Sequence, residues 1–170
     1  MDREDIVSAV IAAAGGEVTG RVRLQKIVYL LDQLGLKSGF EYEYYHYGPY
    51  SSDLTAATED AKAFDLVEEQ IDYRRSDGAQ FSKFSFTGAQ PIKKEAYGKL
   101  GEQQVRELLS PMMRRSATVL ELAATVDWLR RYERVSDWRA EIKKRKGVKT
   151  EGGRLEQAVE LLNELGLQPK

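Results

Sequence analysis

The sequence predicts a mostly helical α+β fold, and three observations predict it. Apolar residues recur three and four apart over most of the 170 residues, the spacing that gives a helix one buried face. Strand-like alternation and β-rich composition are confined to Phe40–His46, Leu66–Arg74 and Gln80–Phe86. Beyond residue 90 every pattern is helical. With 42% hydrophobic content the chain has material for one well-buried core, organised as a region 1–90 and a helical region 91–170 that form one unit.

The elements follow in order. Asp2 caps a first helix carrying Ile6, Val7, Val10 and Ile11, and Gly15-Gly16 ends it. A second helix starts from Thr19. Its stripe Leu24, Ile27, Val28, Leu31 and Leu34 packs on one side, with Gly35 as C-cap. Phe40 to His46 alternates as a strand, with Phe40, Tyr42, Tyr44 and His46 on one face and Glu41, Glu43, Tyr45 and Tyr47 on the other. Gly48-Pro49 breaks it, and Ser51 or Ser52 caps a third helix reaching about Phe64. Leu66–Arg74 and Gln80–Phe86 then pair across Ser76-Asp77-Gly78-Ala79, a turn in which Asp-Gly tolerates positive φ. Val67, Ile71, Tyr73, Phe84 and Phe86 are its expected buried side chains. Three helices, a short strand and a terminal hairpin give the first region a winged-helix-like order.

In the second region a polar helix is expected over about 93–109, followed by a turn in which Pro111 takes the first helical position after Ser110. From Ser116 the stripe Val119, Leu122, Ala123, Val126, Leu129 and Tyr132 marks a strongly amphipathic helix. A shorter helix runs from Ser136 through Trp138 and Ile142, and a last one from about Gly153 to Gly166.

Composition excludes several chemistries. The chain has no cysteine, so disulfides, zinc-thiolate sites and thiol nucleophiles are out. Met1-Asp-Arg-Glu-Asp lacks the basic opening of a secretory signal, and the apolar run Ile6–Ala14 is too short to span a bilayer. These features predict a soluble cytoplasmic protein that does not engage a membrane. The net charge of −1 divides unevenly: residues 1–90 carry 9 Lys/Arg against 15 Asp/Glu, residues 91–170 carry 17 against 12. An acidic first region repels phosphate backbones and attracts basic partners.

The densest chemistry is Glu41-Tyr-Glu-Tyr-Tyr-His-Tyr-Gly-Pro-Tyr-Ser-Ser52, which holds five tyrosines and the chain's one histidine. His46 with Ser51, Ser52 or Asp53 has the residue types of an acyl-transfer triad. Triad members converge from distant segments, however, and no Gly-x-Ser-x-Gly elbow is present. Glu41, Glu43 and His46 lack a recognisable metal spacing, and no glycine-rich phosphate loop occurs. No catalytic residue, metal or cofactor is therefore expected. Tyrosine instead gives large, rigid contact area at low entropic cost. Glu43, Tyr45, Tyr47 and Tyr50 are the candidate contacts for a partner protein, against the simpler account in which every ring is core packing.

A winged-helix order also suggests DNA. Arg74, Arg75 and Lys83 on the hairpin and Lys143, Lys144, Arg145 and Lys146 in the basic run are the residues that would contact phosphates. Asp53, Glu59 and Asp60 on the third helix, against Lys62 alone, disfavour nucleic acid as a partner.

Arg23-Leu-Gln-Lys-Ile-Val-Tyr-Leu-Leu31, followed by Tyr45-His-Tyr-Gly-Pro-Tyr-Ser51, resembles the paired signature of the YwgA-like family and, more distantly, the SocA-like (Panacea) antitoxin domain. The likeness to the YwgA-like group continues through Leu120–Thr125 and Ala158–Leu162. It lands on Leu24, Gln25, Lys26, Tyr29, Gly48, Pro49 and Ser51, none of them a catalytic group. The Panacea pattern continues "GPV-x-P" with an upstream Trp, where this chain has Tyr50-Ser51-Ser52, so the sequence stands nearer the YwgA-like branch. The resemblance implies a small cytoplasmic protein of antitoxin or adaptor type, with a toxin or a protease substrate as partner. The resulting expectation is a non-enzymatic protein-interaction module; the alternative is a winged-helix transcriptional regulator.

Overall fold

A computed structural model describes residues 2–169 as a mixed α+β fold. Its elements are α1 (Arg3–Ala13), β1 (Glu17–Thr19), α2 (Arg21–Leu34), β2 (Glu43–Tyr45), β3 (Gly48–Tyr50), α3 (Ser52–Ala63), β4 (Val67–Tyr73), β5 (Gln80–Phe86), α4 (Glu102–Met113), α5 (Ala117–Arg131), α6 (Trp138–Lys146) and α7 (Arg154–Glu164). Two 3₁₀ turns, Lys94–Tyr97 and Gly147–Thr150, precede α4 and α7.

β4 and β5 form the expected hairpin, paired Val67 to Phe86 through Tyr73 to Gln80. A strand not anticipated from sequence, β1, adds to the other edge of β5, with Val18 opposite Phe84. Three residues between two glycines are too few to show alternation. Only the proximal half of the β4–β5 hairpin reaches the core. Ile71 and Tyr73, expected to be buried, are exposed, because the hairpin's far end projects beyond the helices that cover Val67 and Phe84.

The strand expected over Phe40–His46 is shorter, and the break expected at Gly48-Pro49 is a second strand. β2 and β3 make a tight antiparallel hairpin whose turn is His46-Tyr47, with Tyr44 opposite Pro49. A proline has no N–H to give a ladder, but a short strand of an isolated pair tolerates it. Gly48 supplies the left-handed φ of +92° that the turn requires.

The helical region departs from expectation at one place. The single helix expected over about 93–109 is a 3₁₀ turn, a bend through Gly98–Gly101, and then α4, which runs through Pro111. A Cβ at Gly98 would lie 1.8 Å from the Leu36 carbonyl oxygen, so the close approach of the loop after α2 fixes the bend there. Elsewhere the caps are as read or one residue away: Ser51 and Ser116 accept the N–H groups of Leu54 and Val119, while Asp137, not Ser136, caps α6 and Gly20 precedes α2.

α5 is the centre of the molecule. Every residue from Val119 to Asp127 is buried, because the helix is enclosed by α2, α6, α7 and β3. The two regions of the chain therefore share one continuous apolar cluster, from Ile6 and Val28 to Leu162. No helix among the described residues is long and apolar enough to cross a membrane.

Glu69 ties the sheet to the helices. Its carboxylate takes Arg21 of α2 at 2.6 Å, Lys62 of α3 at 2.7 Å and the Ser82 hydroxyl of β5. Burial alone would raise this carboxyl, but the bonds from Lys62, Ser82 and Arg21 outweigh it and hold the pKa at about 2. A carboxyl depressed in the folded state stabilises fully above its unfolded pKa of roughly 4.3 and loses that contribution as pH falls towards 2. Urea denaturation of Glu69→Gln should show a loss of about 1–3 kcal/mol at pH 7 and a much smaller difference near pH 2.

Candidate functional site

The site is built from the middle of α2 upward. Gln25, Lys26 and Tyr29 are all buried, although a helix packed on one side would expose some of them. Each reaches a partner distant in sequence. The Gln25 side-chain amide donates to the Ser51 carbonyl and accepts the Ser51 N–H, both at 2.9 Å. A side-chain amide thus replaces a strand partner at the junction of β3 and α3. Lys26 Nζ donates to the Pro49 carbonyl at 2.6 Å. The Tyr29 hydroxyl donates to Asp127 of α5 at 2.7 Å, and Arg131 holds the same carboxylate. Burial and then Asp127 push the Tyr29 phenol up, so it remains a donor.

Gly48 completes the clasp. A Cβ there would lie 2.5 Å from Thr125 Oγ1 of α5, so the hairpin sits directly on the helix. Beneath it lies a cluster of charges. Glu121 of α5 is buried and forms ion pairs with Lys146 and Lys149 at 3.1 Å each, while Lys146 donates to the His46 carbonyl at 3.3 Å. Burial, and then the neighbouring Lys146 and Lys149, lower the Lys26 pKa to about 7 against the raising field of Glu121.

The tyrosines divide by position. Tyr42 meets Tyr29 edge-on at 5.1 Å between centroids and donates to Asp32 at 2.6 Å. Tyr44 lies against Trp128 at 6.4 Å and under the Arg145 guanidinium at 4.9 Å. Both are structural. Tyr45 and Tyr47 are 53% and 52% exposed. Tyr45 stacks at 5.6 Å on Tyr50, whose hydroxyl is bonded to Thr55, and Lys149 lies 4.9 Å over the Tyr47 ring. Glu43 is exposed on the same hairpin. Tyr45, Tyr47 and Tyr50 form one wall of a cavity of about 290 Å³ whose other walls include Leu24, Leu54 and Phe84.

The exposed His46 ring packs on Tyr45 at 4.5 Å, while Ser51 is fully buried as the α3 cap. Among the described residues no hydrogen bond joins His46 to Ser51, Ser52 or Asp53; Asp53 instead accepts the Glu41 N–H. The residues proposed for phosphate contact are dispersed. Arg74 pairs with Asp77 at 2.7 Å, Lys83 with Glu17 at 3.5 Å and Arg145 with Glu133 at 2.6 Å, and Lys146 is buried on Glu121. Arg75, Lys143 and Lys144 are exposed.

No protein-family model matches the chain. Over 112 residues it is 26% identical to "Uncharacterized protein YwgA" of Bacillus subtilis (strain 168), a match covering 65% of this chain and 65% of the relative's length. This match supports a YwgA-like family for the chain. The α2 segment and the Gly48-Pro49 start of β3, which carry the resemblance in sequence, are in contact through Lys26.

Sequence reasoning missed Glu121, Thr125 and Asp127. They are polar residues on the buried faces of an otherwise apolar helix, and that interruption of the α5 stripe was the available signal. Gly48→Ala should cost about 2 kcal/mol or more, from left-handed strain and the Thr125 clash together. Thermal unfolding would check it, and an unchanged midpoint would mean the hairpin does not press on α5.

Proposed function

We propose that the chain is a non-enzymatic protein-interaction module of antitoxin or adaptor type, acting in the cytoplasm, whose partner lands on Glu43, Tyr45, Tyr47 and Tyr50. One observation carries the reading: two large half-exposed aromatic rings stand on a hairpin that is clasped from below, beside an apolar cavity. Rings already held in place lose little freedom on binding, which is what makes tyrosine an effective hot-spot residue. The likeness to the Panacea antitoxin signature points to the same class of partner, a toxin or a protease substrate. The first region runs α1, β1, α2, β2, β3, α3, β4 and β5; we read it as a winged-helix-like arrangement with the tyrosine hairpin inserted between α2 and α3, adapted to protein contact.

DNA is the weaker reading. The helix that would enter a groove, α3, shows Glu59 at its surface, and Lys62 there is engaged by Glu59 and Glu69. Of the candidate phosphate contacts, Arg75 at the wing tip and Lys143 and Lys144 are the exposed ones outside the ion pairs found among the described residues, fewer than phosphate binding generally uses.

Co-purification from the native host, comparing the wild type with Tyr45→Ala and Tyr47→Ala, tests the reading. Each substitution should weaken a partner's affinity by about thirtyfold, as for a hot spot near 2 kcal/mol, and leave stability within about 0.5 kcal/mol. Undiminished binding by the folded double variant would overturn it. Duplex DNA at about 50 mM salt should show no saturable binding; tight binding lost on neutralising Arg74, Arg75 and Lys83 would favour the regulator instead.

A further inference from the structure

We propose that the cavity between α2, α3, β5 and the tyrosine hairpin binds a small carboxylic acid with a bulky apolar or aromatic body, the carboxylate accepting from Lys26. The proposal goes beyond the partner reading, concerns a small molecule, and is tested on the isolated chain.

The volume sets the body. An apolar cavity of about 150 Å³ holds benzene; this one, at about 290 Å³, has room for a phenyl ring with a short alkyl chain or for a fused bicycle. Phe84, Leu54 and Leu24 on one side and Tyr45, Tyr47 and Tyr50 on the other offer apolar surface and ring faces.

The charges set the head group. Arg21 and Glu59 also line the cavity, but Arg21 is spent on Glu69 and Glu59 on Lys62. Lys26 differs. It lines the cavity and is 1% exposed. An ammonium has three N–H donors, and among the described residues its one hydrogen-bond acceptor is the Pro49 carbonyl. The carboxylate facing it, Glu121 of α5, is taken at 3.1 Å by both Lys146 and Lys149. Three lysines thus share the field of one glutamate, and among the described residues Lys26 is the one of the three left without an ion pair. An entering carboxylate supplies the missing counter-charge in a site where burial makes that pairing strong.

The proton follows the anion. Because burial, Lys146 and Lys149 keep the free Lys26 near a pKa of about 7, an acid that pairs with it must draw a proton onto it above neutral pH. Affinity for the carboxylate should then fall as pH rises, whereas an uncharged analogue should be indifferent.

The test is titration calorimetry of the full chain with 4-phenylbutyrate and with 4-phenylbutanol at pH 7 and pH 9. The acid should bind at least tenfold more tightly than the alcohol at pH 7, weaken at least tenfold by pH 9, and take up a proton when measured in buffers of different ionisation enthalpy. Lys26→Met should bind acid and alcohol alike. Equal affinities in the wild type, acid binding insensitive to pH, or no saturable binding of either compound would each overturn the proposal. The pH and proton measurements stand on the wild type, so they decide the matter even if Lys26→Met fails to fold.

Discussion

The paired hydrogen bonds between the Gln25 amide and the Ser51 backbone are the constraint on which the rest of the structure depends. They fix the residue that ends β3 and caps α3. That single junction sets the direction of α3, the height of the tyrosine hairpin and the depth of the cavity between them. A typical net hydrogen bond is worth about 1 kcal/mol, but a buried donor or acceptor left unpaired costs about 1–3 kcal/mol. Ser51 is fully buried, so the asymmetry favours one geometry strongly. Lys26 on Pro49 and Thr125 against Gly48 hold the two sides of the same hairpin. The turn between them is pinned to α2 and α5 at once, and what it presents outward is Tyr45 and Tyr47.

The polar residues of α5 explain why a helix so thoroughly buried still specifies one arrangement. Glu121, Thr125 and Asp127 face α6, the hairpin and α2 respectively, so a rotation of α5 would strand charges in the core. This is a demanding way to hold a fold together. Lys26 adds a cost of its own: with its folded pKa lowered to about 7, the unfolded chain binds the extra proton between that value and its ordinary pKa near 10.4. Stability attributable to Lys26 therefore rises with pH across that window, and its full penalty applies below pH 7. The apolar cluster that surrounds it offsets the cost.

The basic run of α6 has a different role from the one its composition suggests. Arg145 is raised above its ordinary pKa chiefly by Glu133, and it covers Tyr44. Lys146 and Lys149 serve Glu121. The cations of the second region thus reach the tyrosine segment of the acidic first region through ring faces and a carbonyl. Charge counting along the chain could find the asymmetry between the regions but not its use, because the partner of a lysine depends on which faces meet.

Much of the architecture was legible in the sequence. The periodicity of α2, α5 and α7 and the Asp-Gly turn between β4 and β5 are local signals, and local physics decides them. Two strands of three residues were not legible: β1 and β3 exist only because β5 and β2 lie beside them. The exposure of Ile71 and Tyr73 depends on how far a hairpin overhangs its helices, which no alternation reports. At the candidate site the tyrosines and the Leu24-Gln25-Lys26 segment stood out as a pattern, while the reason for it, that Gln25 and Lys26 bond the backbone of the Gly48-Pro49 hairpin, needed the fold. The most direct test is amide hydrogen exchange over residues 43–51 in Gln25→Leu. Protection there should fall sharply while α5 and α7 keep theirs; a hairpin as protected as in the wild type would contradict the view that this clasp holds the tyrosines in place.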